Sequence, residues 1–192
     1  MRAFPRVARA LPAIVALIAA APPSHALTFN IANGGAQIYL RIGQTGGTVS
    51  IVTFPVTAAN AGTGIVAGTA PAAAGAFSPQ TGNFPACGAN FVRIVARARA
   101  PVANTRTATL SVTSTGSLSA GANTIPFTKF SWISDDVADL PGGAFLGVAN
   151  QALVSFQNSR EVGACHRFQF LNDTVYAPGT YNGTVTYNLA MP

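Results

Sequence analysis

The chain has 192 residues and a formal net charge of +6, yet only 8% of its residues are charged, against the usual quarter. Low charge can indicate a membrane protein, but nothing after the first 26 residues runs apolar for the ~18 residues a helical span needs. Two cysteines, two histidines and five acidic residues are a poor inventory for metal or acid–base catalysis.

Arg2, Arg6 and Arg9 precede an apolar run from Leu11 to Ala21 that only Pro12 interrupts, and Ser24-His25-Ala26 follows with small residues. This is the pattern of a secretory signal peptide: a helical leader, 1–26, cleaved after Ala26 and too short to anchor. Residues 27–192 then form one extracytoplasmic domain with no transmembrane segment. Three of the eleven basic residues lie in the leader, so the mature excess of positive charge is mild. It does not indicate a nucleic-acid partner. In an oxidising compartment Cys87 and Cys165 read as one disulfide. Closing so long a loop contributes about 4 kcal/mol on a chain-entropy account.

Leu27, Phe29 and Ile31 alternate with Thr28 and Asn30, a strand with one apolar face. Asn33-Gly34-Gly35 turns the chain. Ile38, Leu40 and Ile42 alternate in a second strand, and Val49 to Phe54 reads as a third that stops at Pro55. Residues 55–90 are rich in Ala, Gly, Thr and Pro. They read as a long surface loop with one short strand around Gly64 to Ala67. Val92, Ile94, Ala96 and Ala98 share a face, as do Ala108, Leu110 and Val112; the two runs read as a hairpin connected through Pro101 to Thr105. A further strand covers Ile125 to Ile133, with Pro126 at its start or at a bulge. Ala152, Val154 and Phe156 alternate, and so do His166, Phe168 and Phe170. The last strand puts Tyr181, Val185, Tyr187 and Leu189 on one face and Asn182, Thr184, Thr186 and Asn188 on the other. Eight or nine short strands separated by turns indicate an all-β fold, an immunoglobulin-like antiparallel β-sandwich; a closed barrel is the alternative.

Candidate chemistry is sparse. Asp135, Asp136 and Asp139 cluster in one loop, but without EF-hand spacing they read as a solvated loop rather than a calcium site. Arg93, Arg97 and Arg99 share a strand face, which suits a polyanion but reads more simply as a solvated face that guards an edge. His166 beside Cys165 would be a nucleophile's base only if the cysteine were free. Glu161 is the sole mature glutamate, half of what a glycosidase needs. Trp132 and the tyrosines, Tyr39, Tyr176, Tyr181 and Tyr187, read as core and cross-strand packing rather than a sugar platform. No catalytic residue, cofactor or metal is assigned, and no enzyme is expected.

The closing segment Ala177-Pro178-Gly179-Thr180-Tyr181-Asn182-Gly183-Thr184-Val185-Thr186-Tyr187 resembles the final strand of chaperone–usher fimbrial subunits and of spore-coat-U-like secreted domains. Met191 stands where such pilins carry an aromatic residue, and their disulfide joins earlier strands. The resemblance implies a sandwich lacking its last strand, filled first by a periplasmic chaperone and then by the N-terminal segment of the next subunit. Leu27, Phe29 and Ile31 would be the donor set, and Tyr181, Val185, Tyr187 and Leu189 would border the acceptor edge. On that reading the protein is a secreted structural or adhesive subunit of a fimbrium or cell surface. Its partners would be other copies, fimbrial subunits and the chaperone. A self-contained glycan- or envelope-binding module is the alternative, and a hydrolase the least favoured reading.

Overall fold

A computed structural model describes residues 35–43, 51–71, 86–101 and 105–192. The expected signal peptide, the strand expected over Leu27 to Ile31 and much of the expected long loop lie outside them. In chain order the strands are β1 (Gln37–Ile42), β2 (Gly64–Ala67), β3 (Val92–Arg99), β4 (Thr107–Thr113), β5 (Ser117–Ala120) and β6 (Asn123–Pro126). A 3₁₀ turn (Phe127–Lys129) leads to β7 (Phe130–Ser134), β8 (Gly143–Ala144), β9 (Gln151–Gln157), β10 (Arg160–Asn172) and β11 (Thr186–Ala190).

All pairings are antiparallel. The larger sheet runs β1-β3-β10-β7-β8, and the smaller β11-β4-β9. The long strand β10 organises the first sheet. Its residues 160–166 pair with β3 and its residues 166–170 pair with β7 on the other edge. Where β3 ends, β2 takes over beside residues 169–172, joined by a hydrogen bond from Gly68 N to Phe168 O (2.8 Å). The β5–β6 ribbon stands apart and is stitched to the C-terminal segment by reciprocal bonds between Ser119 and Asn182.

The core follows from alternation. Ile94, Ala96 and Ala98 of β3 and Val162 and Ala164 of β10 meet Ala108 and Leu110 of β4, Phe156 of β9 and Leu189 of β11. Small residues on one sheet leave room for the large ones opposite, as close packing of two inner faces demands. Burying a side chain such as Ile94 or Leu110, both at 0% exposure, contributes about 2 kcal/mol. The other half of the core is aromatic: Phe127, Phe130, Trp132, Phe145, Phe168 and Phe170. Phe130 stacks on Phe170 at 4.9 Å, and Trp132 meets Phe145 at the same distance.

Several sequence expectations change here. The Val92–Ala98 and Ala108–Val112 runs are not a hairpin, because β3 pairs with β1 and β10 whereas β4 pairs with β9 and β11. Their buried faces are as expected, but they look at each other across the core instead of sharing a sheet. The Val49–Phe54 strand is reduced, within the described residues, to a single bridge between Thr53 and Thr69. The strand expected over Ile125 to Ile133 is broken by the 3₁₀ turn, which buries Phe127. A register shift in the β4–β9 pairing leaves Ala152 exposed and packs Leu153 against the core. The final strand begins at Thr186, so Tyr181 is off it and packs instead beside Tyr176. The short strand in the long loop is present as β2, and the buried Asn172 side chain ties the preceding turn down through Asn60 O and Gly62 N.

Candidate functional site

The Cys87–Cys165 disulfide forms, closing a loop of 78 residues. Cys165 lies on the outer face of β10, next to Gly163 and away from the core. Arg93, its cross-strand neighbour, donates from Nη1 to Cys165 Sγ at 3.3 Å. Burial is the main influence on Arg93 and lowers its pKa; nearby Asp135 and Glu161 oppose that.

The aspartate loop is not simply solvated. Beyond β7, the edge of β10 has lost its neighbouring strand, and Gly163 and Cys165 point their N–H groups outward. Asp139 Oδ2 accepts from Gly163 N (3.2 Å) and Asp135 Oδ1 from Cys165 N (2.6 Å). Asp136 Oδ1 accepts from Ala138 N and Asp139 N, closing the loop on itself. Asp139 also pairs with Arg160 at 2.9 Å. Among the described residues no group of three or more His, Cys, Asp or Glu could hold a metal ion. The carboxylates serve the backbone, replacing a missing strand.

His166 lies inward, 1% exposed, stacked on Trp132 at 5.9 Å, with Nε2 3.4 Å from Leu140 O. Burial pushes its pKa from 6.5 down to about 4, against the smaller opposing effects of Leu140 O and Asp135. With Cys165 in the disulfide, this ring has no thiol to activate. Trp132, buried with Nε1 donating to Pro141 O (3.0 Å), is core rather than platform.

The least covered apolar edge is the side of the molecule where β1 and β11 end their sheets. β1 pairs only with β3, and β11 only with β4, among the described strands. The two edge strands lie near each other although they belong to different sheets. Their inward residues are incompletely covered. Ile38 is 51% exposed, and Leu40, Ile42, Tyr187 and Met191 are half-buried against the core. One strand further in, Ile94, Ala96, Ala98 and Leu110 are at 0%. Val185 is half-buried just ahead of β11, and Leu189 is buried on it. The Tyr187 hydroxyl is buried without a hydrogen-bond partner, and burial raises its pKa. Of the four expected acceptor residues, Val185, Tyr187 and Leu189 therefore line this side, and Tyr181 does not. Sequence reasoning missed the β1 half, although the alternation of Ile38, Leu40 and Ile42 was visible in it.

No family model, curated protein or solved structure matches this chain. The fold and its features define an all-β protein of antiparallel sheets, stapled by one disulfide. No helix among the described residues is long and apolar enough to cross a membrane.

Proposed function

We propose that the chain is a secreted structural or adhesive surface subunit whose immunoglobulin-like sandwich is completed by strand addition at the side where β1 and β11 end their sheets. The observation that carries this reading is the step in coverage there: half-exposed Ile38 and half-buried Leu40 stand beside neighbours at zero exposure. A strand added along the free edge of β1 would cover them, gaining backbone hydrogen bonds for affinity and side-chain pockets for register.

The donor is the Leu27–Phe29–Ile31 segment of another copy or of a related fimbrial subunit, with a periplasmic chaperone holding the site beforehand. Its alternation presents three apolar side chains to one face. The signal-peptide pattern and the disulfide support an extracytoplasmic setting. The fit is tested by deleting residues 27–36 from the secreted chain. Assembly should be lost, and the deleted chain should still cap the ends of wild-type polymers. If wild-type and deleted chains have the same assembly state, the reading fails.

A further inference from the structure

The edge of β10 that faces away from β3 is built to take a strand, and the chain fills it itself. On that side β7 pairs with β10 only from His166 onward, so residues 160–165 have no neighbouring strand there. The chain leaving β7 nevertheless follows the bare edge from Asp135 to Leu140. Asp135 donates from its N–H to Cys165 O (3.2 Å), and its carboxylate accepts from Cys165 N (2.6 Å). The Asp139 carboxylate accepts from Gly163 N (3.2 Å). Leu140 then turns inward, at 0% exposure, into the buried cluster that holds Ile94, Phe156 and Val162.

These are the two things an added strand supplies: hydrogen bonds to an open backbone edge and an apolar side chain in a pocket behind it. Between its anchors the segment is a surface strap. Asp136, Val137 and Ala138 are exposed, and the Asp136 carboxylate accepts from Ala138 N and Asp139 N within the segment itself. Among the described residues β1 has no such strap. Gly43 N donates to Arg93 O (2.7 Å), so by the alternation of an antiparallel pair Ile38 and Leu40 point their N–H groups at the open edge. Ile38 is 51% exposed where Leu140 is at 0%.

We propose that the β10 edge over residues 160–165 is a second strand-acceptor site, held shut by the chain's own 135–140 segment, so that each subunit takes one donor strand from another copy. This rests on the assembly reading above and adds its stoichiometry. One open edge and one filled edge make every contact heterologous, so copies join head to tail in an unbranched filament. With the strap displaced, the edge offers the Gly163 and Cys165 N–H groups and the Leu140 pocket to the same alternating segment, Leu27, Phe29 and Ile31. A subunit would then take two donors and the filament would branch.

The test is amide hydrogen exchange on the full chain, read at Gly163, Cys165, Ile38 and Leu40, with and without an excess of a peptide of residues 27–36. In the wild type, Gly163 and Cys165 should be protected, and the peptide should leave them unchanged. In Asp135→Ala/Leu140→Ala the Cys165 amide should exchange at least tenfold faster. The peptide should restore its protection, with two peptides bound per chain where the wild type binds one. Should that variant fail to fold, Asp135→Ala alone should show the faster exchange and its reversal. Fast exchange of Gly163 and Cys165 in the wild type, or a folded variant whose Cys165 the peptide leaves unprotected, would overturn the proposal. Protection of Cys165 without protection of Ile38 and Leu40 would retire the β1 site and leave the β10 site standing.

Discussion

Asp135 and Cys165 are joined twice. The Asp135 carboxylate accepts from Cys165 N at 2.6 Å, and Cys165 O accepts from Asp135 N at 3.2 Å. A loop residue thus gives β10 both halves of a ladder rung at a point where no strand is present. The same residue of β10 carries the disulfide, so one position ties together the sheet, the aspartate loop and the segment around Cys87.

Loss of that carboxylate strands a part-buried backbone donor. Asp135→Ala should therefore destabilise the domain by about 2 kcal/mol, read as a lower denaturant midpoint at unchanged slope. Val137→Ala in the same loop, at an exposed position, should shift it little. Equal effects of the two would mean that the loop's conformation, not the carboxylate, matters.

His166 makes stability depend on pH. Its ring titrates near 6.5 when unfolded and at about 4 when folded, so between those values the unfolded chain binds more protons. The stabilisation is complete above pH 6.5 and is lost as pH falls toward 4, amounting to about 3 kcal/mol. The difference in unfolding free energy between the wild type and His166→Phe, measured from pH 7.5 to 3.5, should fall through that window. A flat difference would show that the ring is not held neutral by burial.

The disulfide closes 78 residues and links β10 to the end of the long loop. Replacing Cys87 and Cys165 together by serine should cost about 4 kcal/mol, seen as a large drop in melting temperature in non-reducing buffer. A loss under 1 kcal/mol would mean the long loop is already ordered without it.

The inward alternations were legible because a half-buried strand announces itself at period two: Ile94, Ala96 and Ala98, or His166, Phe168 and Phe170. What alternation does not contain is the partner. A strand pattern is the same whether its neighbour in sequence lies beside it or across the core, and β3 and β4 turned out to face each other. The aspartates were unreadable for a related reason. Their role depends on where β7 stops pairing with β10, a long-range fact about the sheet. The arginine face was visible in sequence, but its position on an interior strand was not, and that position is what removes edge protection as its explanation. Of the open side, the sequence showed the alternating residues of both edge strands without showing that they come together.

Gly143 illustrates a close approach that composition hides. A Cβ there would lie 2.8 Å from the ring of Trp132, which is buried and hydrogen-bonded to Pro141. Gly143→Ala should cost about 1–3 kcal/mol through displacement of that ring, with a changed tryptophan emission maximum. An unchanged spectrum and melt would show that the ring can give way freely.

The central claim is that the sheets are completed by a strand from outside the subunit. The most direct measurement is light scattering with a thermal melt on a chain of residues 37–192, with and without a synthetic peptide of residues 27–36. The account predicts a poorly stable or aggregating chain that the peptide converts into a monomer, with a melting temperature several degrees higher. A Leu27→Asp/Phe29→Asp peptide should have no such effect. A cooperative, stable monomer whose melt the peptide leaves unmoved would contradict it.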